Sequence, residues 1–237
     1  MNQWLRERLV AWADEYETAD FIKSDPVQFP HRYSRQEDIE IMGLLTALLS
    51  FGNRTQILKK ADSLDETMGH RPLEYVVSQK WTRDFPADDR SSYYRMVSRS
   101  QFRQWIERLY EIYVEGRTLE DEMMRREGLP MERLCGFMGV GSTGPQKKLN
   151  MFLRWMIRRQ SAVDFGLWTK LDPSQLIIPL DTHVCRVAHQ LGLTKKNTFS
   201  LGNAKTITNA MAEVFPGDPC RGDFALFGYG ANGKVKN

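Results

Sequence analysis

Ile177-Ile178-Pro179-Leu180-Asp181-Thr182-His183-Val184-Cys185-Arg186-Val187 is the stretch from which the fold is read. An apolar pair runs into a proline, and Asp181 then stands where a helix with Val184, Val187 and Leu191 on one face begins. Upstream, Lys147 and Lys148 open another helix, predicted over 147–160, directly after the glycine-rich turn Gly139-Val140-Gly141-Ser142-Thr143-Gly144. A carboxylate and an amine, each at a helix start, can face one cleft if the chain folds back between them. Asp181 is also a good N-cap for its own helix, and one residue can serve both purposes. Cations at the start of the 147–160 helix oppose its dipole, although a solvated helix end is the commoner use of such lysines.

Outward from these two helices the periodicity stays near four. Leu5, Leu9, Trp12 and Tyr16 form a first amphipathic helix. Ser34 with Glu37 predicts a capping box that opens a core helix ending near Phe51-Gly52. Ile57, Leu58, Ala61, Leu64 and Met68 give the next stripe, stopped by Gly69 and Pro72. A helical stretch rich in arginine and aromatics is expected between Trp81 and Gly116, and short helices around 118–127 and 130–138. Helices are further predicted over about 200–214 and from near Asp223. With no strand pattern or repeat, the sequence predicts an all-α fold.

At 237 residues the chain is one large domain or two small ones, and 41% apolar with 27% charged residues is the balance of a folded globular protein. The three cysteines, Cys135, Cys185 and Cys220, lack any C-x-x-C spacing. Neither a disulfide framework nor a zinc or iron–sulfur site is therefore expected, and a cytoplasmic location is the simplest reading. The charged amphipathic start is no signal peptide, and the apolar run 39–51 is too short to span a bilayer, so no membrane association is expected. The net charge of +3 is small, but basic residues gather at 94–107 and 154–159, which permits nucleic-acid binding. On the 147–160 helix, Lys147, Asn150, Arg154 and Arg158 lie along one polar stripe.

The order of helix, glycine turn, lysine-led helix and Leu-Asp-Thr-His-Val-x-Arg-Val resembles the helix-hairpin-helix DNA glycosylase superfamily, which includes endonuclease III and the adenine and oxoguanine glycosylases. Leu48-Leu49-Ser50 is similar to an early segment of those enzymes. Residues 147–156 and 223–228 are more similar still to an uncharacterised bacterial family of about this length. The superfamily resemblance implies a two-lobed all-α fold with a cleft between lobes: a central lobe over 35–171, and a second lobe of 1–34 with 172–237. It implies a DNA N-glycosylase of base excision repair, with or without a lyase step, acting on duplex DNA with a flipped damaged base. Asp181 matches the catalytic aspartate and Lys147 the nucleophilic lysine.

Such chemistry needs these residue types for physical reasons. Breaking an N-glycosidic bond builds positive charge on the sugar, which a carboxylate stabilises. An amine with a lowered pKa attacks the sugar carbon and forms a Schiff base. Gly139, Gly141 and Gly144 would offer backbone amides to phosphate, with Lys148, Arg154 and Arg158 extending the contact. Asn53 and Arg54 follow the core helix where related enzymes probe the duplex, although such a pair is usually just a turn. Asp223 reads as a further helix cap or as a support for Arg186.

Three departures from the superfamily stand out. Lys147 and Asp181 are 34 residues apart, so 161–174 must loop out or form extra structure. The turn is longer, which makes Lys148 a second candidate nucleophile. The four-cysteine cluster of endonuclease III is missing, so no iron–sulfur cofactor is expected. A non-catalytic DNA-binding protein on the same scaffold is the competing expectation.

Overall fold

The computed structural model describes residues 1–231. Helices dominate it, and the fold is all-α apart from one short hairpin. Two compact units emerge: unit 1 comprises Met1–Ser24, Gly128–Gly136 and Val140–Asn237, and unit 2 comprises Asp25–Glu127 with Phe137–Gly139. These divisions fall at other points than 35 and 171, and residues 140–171 group with both chain termini.

Unit 2 is organised on the Gln36–Leu49 helix, whose residues from Ile39 to Leu49 are all buried. A helix apolar all round belongs in a core. Its one buried carboxylate, Glu40, accepts hydrogen bonds from the Tyr113 hydroxyl (2.7 Å) and the Leu119 amide (2.9 Å), so the charge is matched by donors. The helix starts later than the expected capping box, with Arg35 in the cap position and no side-chain cap, so Ser34 and Glu37 do not form one. The expected helical stretch from Trp81 is also broken. Ser92–Tyr94 pairs with Val97–Ser98 in an antiparallel hairpin turned at Arg95-Met96, and the long helix begins only at Arg99 and runs to Tyr113. Strands of three and two residues are too short to show alternation in sequence.

Unit 1 carries the helices Gln3–Tyr16, Lys147–Ile157, Thr182–Gln190, Leu201–Val214 and Gly222–Ala231. The first and last of these pack together through edge-on aromatic pairs, Trp12 with Tyr229 (4.9 Å) and Tyr16 with Phe227 (5.7 Å). Gly228 permits that approach, since a Cβ there would lie 2.3 Å from the Tyr16 ring. The Thr182–Gln190 helix packs on the same C-terminal helix. Residues 158–180, the extra length between Lys147 and Asp181, are irregular apart from one 3-10 turn at Pro173–Gln175. The Phe165 and Trp168 amides donate to the Trp155 and Met156 carbonyls at the end of the Lys147–Ile157 helix, which folds the segment back.

Candidate functional site

Asp181 holds the N-cap of the Thr182–Gln190 helix, its Oδ1 accepting from the Val184 amide at 2.8 Å. Its Oδ2 makes no hydrogen bond among the described residues. The capping reading of Asp181 therefore holds, and one carboxylate oxygen remains for other work.

Lys147 begins its helix with no side-chain cap; the residue before it, Gln146, takes the left-handed conformation (φ 43°) and its amide donates to the Gly141 carbonyl. The first-turn N–H groups are therefore not used by a cap. The turn itself is set at its start by Gly139, with φ 65°, which ends the Pro130–Met138 helix. The Val140 amide reaches back to the Cys135 carbonyl at 3.0 Å, the long bond of a Schellman motif. A Cβ at Gly139 would lie 2.6 Å from the Arg108 guanidinium. Gly141 has open space around it, and Gly144 has only the Gln146 amide nearby.

Arg154 and Arg158 are placed differently from the expectation. They are buried, 4% and 1% exposed, and committed to carboxylates. Arg158 meets Asp218 (2.7 Å), Asp164 (2.5 Å) and Glu17 (2.8 Å). Arg154 meets Asp164 (3.3 Å) and Asp223, and its guanidinium lies 4.5 Å above the Phe224 ring. Neither can extend a phosphate contact, because the polar stripe of this helix faces acids of its own unit. The signal lay in those acids, scattered from Glu17 to Asp223 and invisible to a reading of one helix. Asp164 comes from the irregular 158–180 segment, which thereby gains a structural purpose.

Asp223 is the residue that sequence reading undervalued. It sits in the first turn of the Gly222–Ala231 helix, and its carboxylate pairs with Arg154 rather than with Arg186. Burial pushes its pKa up to about 6; Arg154 opposes that shift, Asp181 adds to it, Lys147 opposes it and Asp164 adds to it. Lys147 and Asp181 thus act on one shared carboxylate within unit 1. The neighbouring Lys148 amine is held below the ordinary lysine range, first by burial and then by repulsion from Lys147. The site thus sets Asp223, an acid that titrates near neutrality, under the influence of Lys147, whose sequence neighbour Lys148 is an amine with its charge disfavoured.

Asn53 and Arg54 belong to unit 2. Asn53 caps the Arg54–Thr67 helix through the Gln56 amide (3.3 Å), and Arg54 is half exposed and 3.7 Å from Asp25. Among the described residues no three His, Cys, Asp or Glu side chains gather as a metal-holding group, and no helix is long and apolar enough to cross a membrane.

These features define an all-α protein with a lysine–carboxylate cluster in one unit. A family profile described as Protein of unknown function (DUF2400) matches residues 25–138 and 131–232, and the chain belongs to that family. No curated protein and no solved structure matches it.

Proposed function

We propose that the chain is a two-lobed DNA N-glycosylase of the helix-hairpin-helix type, acting in base excision. The observation that carries this reading is the electrostatic meeting of Lys147 and Asp181 at Asp223, each from a different helix start. Asp181 Oδ2 is the atom left to stabilise the sugar cation as the C1′–N bond breaks and the base departs with the bonding electrons. In the lyase variant, a neutral lysine amine donates its lone pair to C1′ as the base leaves, loses a proton to the Asp181 carboxylate and, as the sugar ring opens, becomes a Schiff base. Lys147 is the first candidate for that amine. Lys148, whose protonated form burial disfavours, is the second. The uncapped amides at 147–149 and the turn from Gly139 to Gly144 are the proposed phosphate grip. Asn53 and Arg54 remain proposed duplex contacts.

The experiment is base release from duplexes carrying a panel of damaged bases. Release that falls at least ~100-fold in Asp181→Asn, a loss typical of removing a transition-state electrostatic partner, supports the proposal. Release that is unchanged in that variant overturns it. A DNA-binding protein without chemistry is the second reading, and the use of Asp181 Oδ1 as a helix cap favours it. Salt-dependent duplex binding with no base released from any duplex would put that reading ahead.

A further inference from the structure

Arg186, half-buried, differs from three other arginines of unit 1. Arg154, Arg158 and Arg221 each face at least two carboxylates. Arg186 faces none among the described residues. Its Nε is buried without a hydrogen-bond partner, and its only polar contact there is a long one, from Nη2 to the His183 Nδ1 at 3.4 Å. Because a guanidinium cannot lose its proton, Nδ1 is the acceptor in that contact. A permanent charge taken partly out of water with no counter-charge is costly, and an anion arriving at the fork would remove that cost.

Arg186 lines an open cleft of about 440 Å³ together with His183, Asn197 and Phe199. Phe199 is 54% exposed, and its ring has no aromatic or cationic partner among the described residues. Asn197 accepts from the Cys185 thiol through Oδ1 (3.3 Å), which leaves its amide NH₂ as a free donor among the described residues. Lys195 and Lys196, on the loop that carries Asn197 and Phe199, are both exposed. Among the described residues no carboxylate lines the cleft. A cation with a planar fork, an unpartnered aromatic face and an amide donor match the three parts of one ligand class.

We propose that this cleft binds a nucleotide, its phosphate on Arg186 and its base against Phe199 within reach of the Asn197 amide. The inference needs neither Lys147 nor Asp181, and it holds whether or not the chain excises bases. A nucleotide can arrive free or as part of a single strand, and the two sources share this chemistry.

The test is equilibrium binding to the full chain, read by calorimetry for thymidine 5′-monophosphate, thymidine and inorganic phosphate, and by fluorescence anisotropy for a labelled ten-residue oligothymidylate. Thymidine monophosphate or the oligonucleotide should bind, and Arg186→Met should weaken that binding by about tenfold or more, the usual weight of a lost charge-assisted pair. Phe199→Ala should weaken nucleotide binding at least ~5-fold, the low end of a lost stacking contact, and leave inorganic phosphate within about twofold. Binding of the oligonucleotide alone, with the same dependence, identifies the strand as the source. Binding of the monophosphate identifies the free nucleotide. Should Arg186→Met not fold, Arg186→Lys and the exposed-site variant Phe199→Ala decide the matter. Failure of both probes to bind, or binding indifferent to these substitutions, overturns the proposal, as does thymidine binding as tightly as its monophosphate.

Discussion

At the residue scale, the Asp223 carboxyl is the most informative single group. Its folded pKa of about 6 lies above the ordinary aspartate value, so the folded state holds the proton more tightly than the unfolded chain does. The sign follows: as pH rises from about 4 to about 6, Asp223 subtracts from stability, by on the order of 3 kcal/mol for a shift of roughly two units. Above that window the penalty is constant, and below it there is none. Urea denaturation of the parent and of Asp223→Asn at pH 4, 5, 6 and 7 should show a difference that changes across pH 4–6 and levels off above. A constant difference over the whole range would remove the assignment. The same titration should enter catalysis. If base release occurs, its pH profile should bend near 6, and Asp223→Asn should lose that bend while retaining activity at one end of the range. Asp223 is then a positioning residue for Lys147 and Asp181 rather than a group that touches the sugar.

At the element scale, the Lys147–Ile157 helix and the residue that follows it are held by charge as much as by packing. Arg158 →Met would leave Asp164, Asp218 and Glu17 without their shared cation, and a broken buried ion network costs about 3–5 kcal/mol. Chemical denaturation should show a loss of that size, with duplex affinity of the remaining folded protein unchanged at moderate salt. A fall in affinity without a fall in stability would instead return Arg158 to the phosphate grip. This element also shows how far sequence reaches. The helix start at Asp181 is legible because a short polar side chain precedes an apolar period, and it caps as expected; Ser200 caps the next helix in the same way. The lysine-led start at 147 is legible from the turn before it. The burial of Arg154 and Arg158 is not, because their partners lie at residues 17, 164, 218 and 223, brought together only by tertiary folding. The hairpin at 92–98 escapes for a different reason: five strand residues are too few for a period to appear. Asp181 and Lys147 were nameable as candidates, whereas Asp223, through which they meet, looked like one more helix cap.

At the scale of the whole molecule, unit 1 is closed by its two distant ends. Trp12, Tyr16 and Phe21 pack on Phe224, Phe227 and Tyr229, and Glu17 and Asp14 bind Arg221. The candidate site stands on the C-terminal partner of that packing, since Asp223 opens the Gly222–Ala231 helix. Removing residues 1–18 should therefore destabilise unit 1 by more than 3 kcal/mol, as losing Leu5, Leu9 and Trp12 alone forfeits about 1.5–3 kcal/mol each. Hydrogen exchange should show protection lost in the 182–190 and 222–231 helices and kept in the 36–49 helix of unit 2. Uniform loss in both units, or in neither, would contradict the division of the chain. Family membership, shown over residues 25–138 and 131–232, covers both units, so the site and its support belong to the matched region except for the first helix.

The central proposal is that a lysine of the 147–148 pair and Asp181 perform chemistry on a DNA sugar. Trapping tests it most directly: the protein is incubated with duplexes containing an abasic site, borohydride is added, and the adducted peptide is identified by mass spectrometry. A reduced adduct on Lys147 or Lys148, abolished by alanine at that lysine and strongly reduced in Asp181→Asn, is the predicted result. An adduct on some other amine that is indifferent to Asp181, or no adduct together with no base release from any damaged duplex, would contradict it.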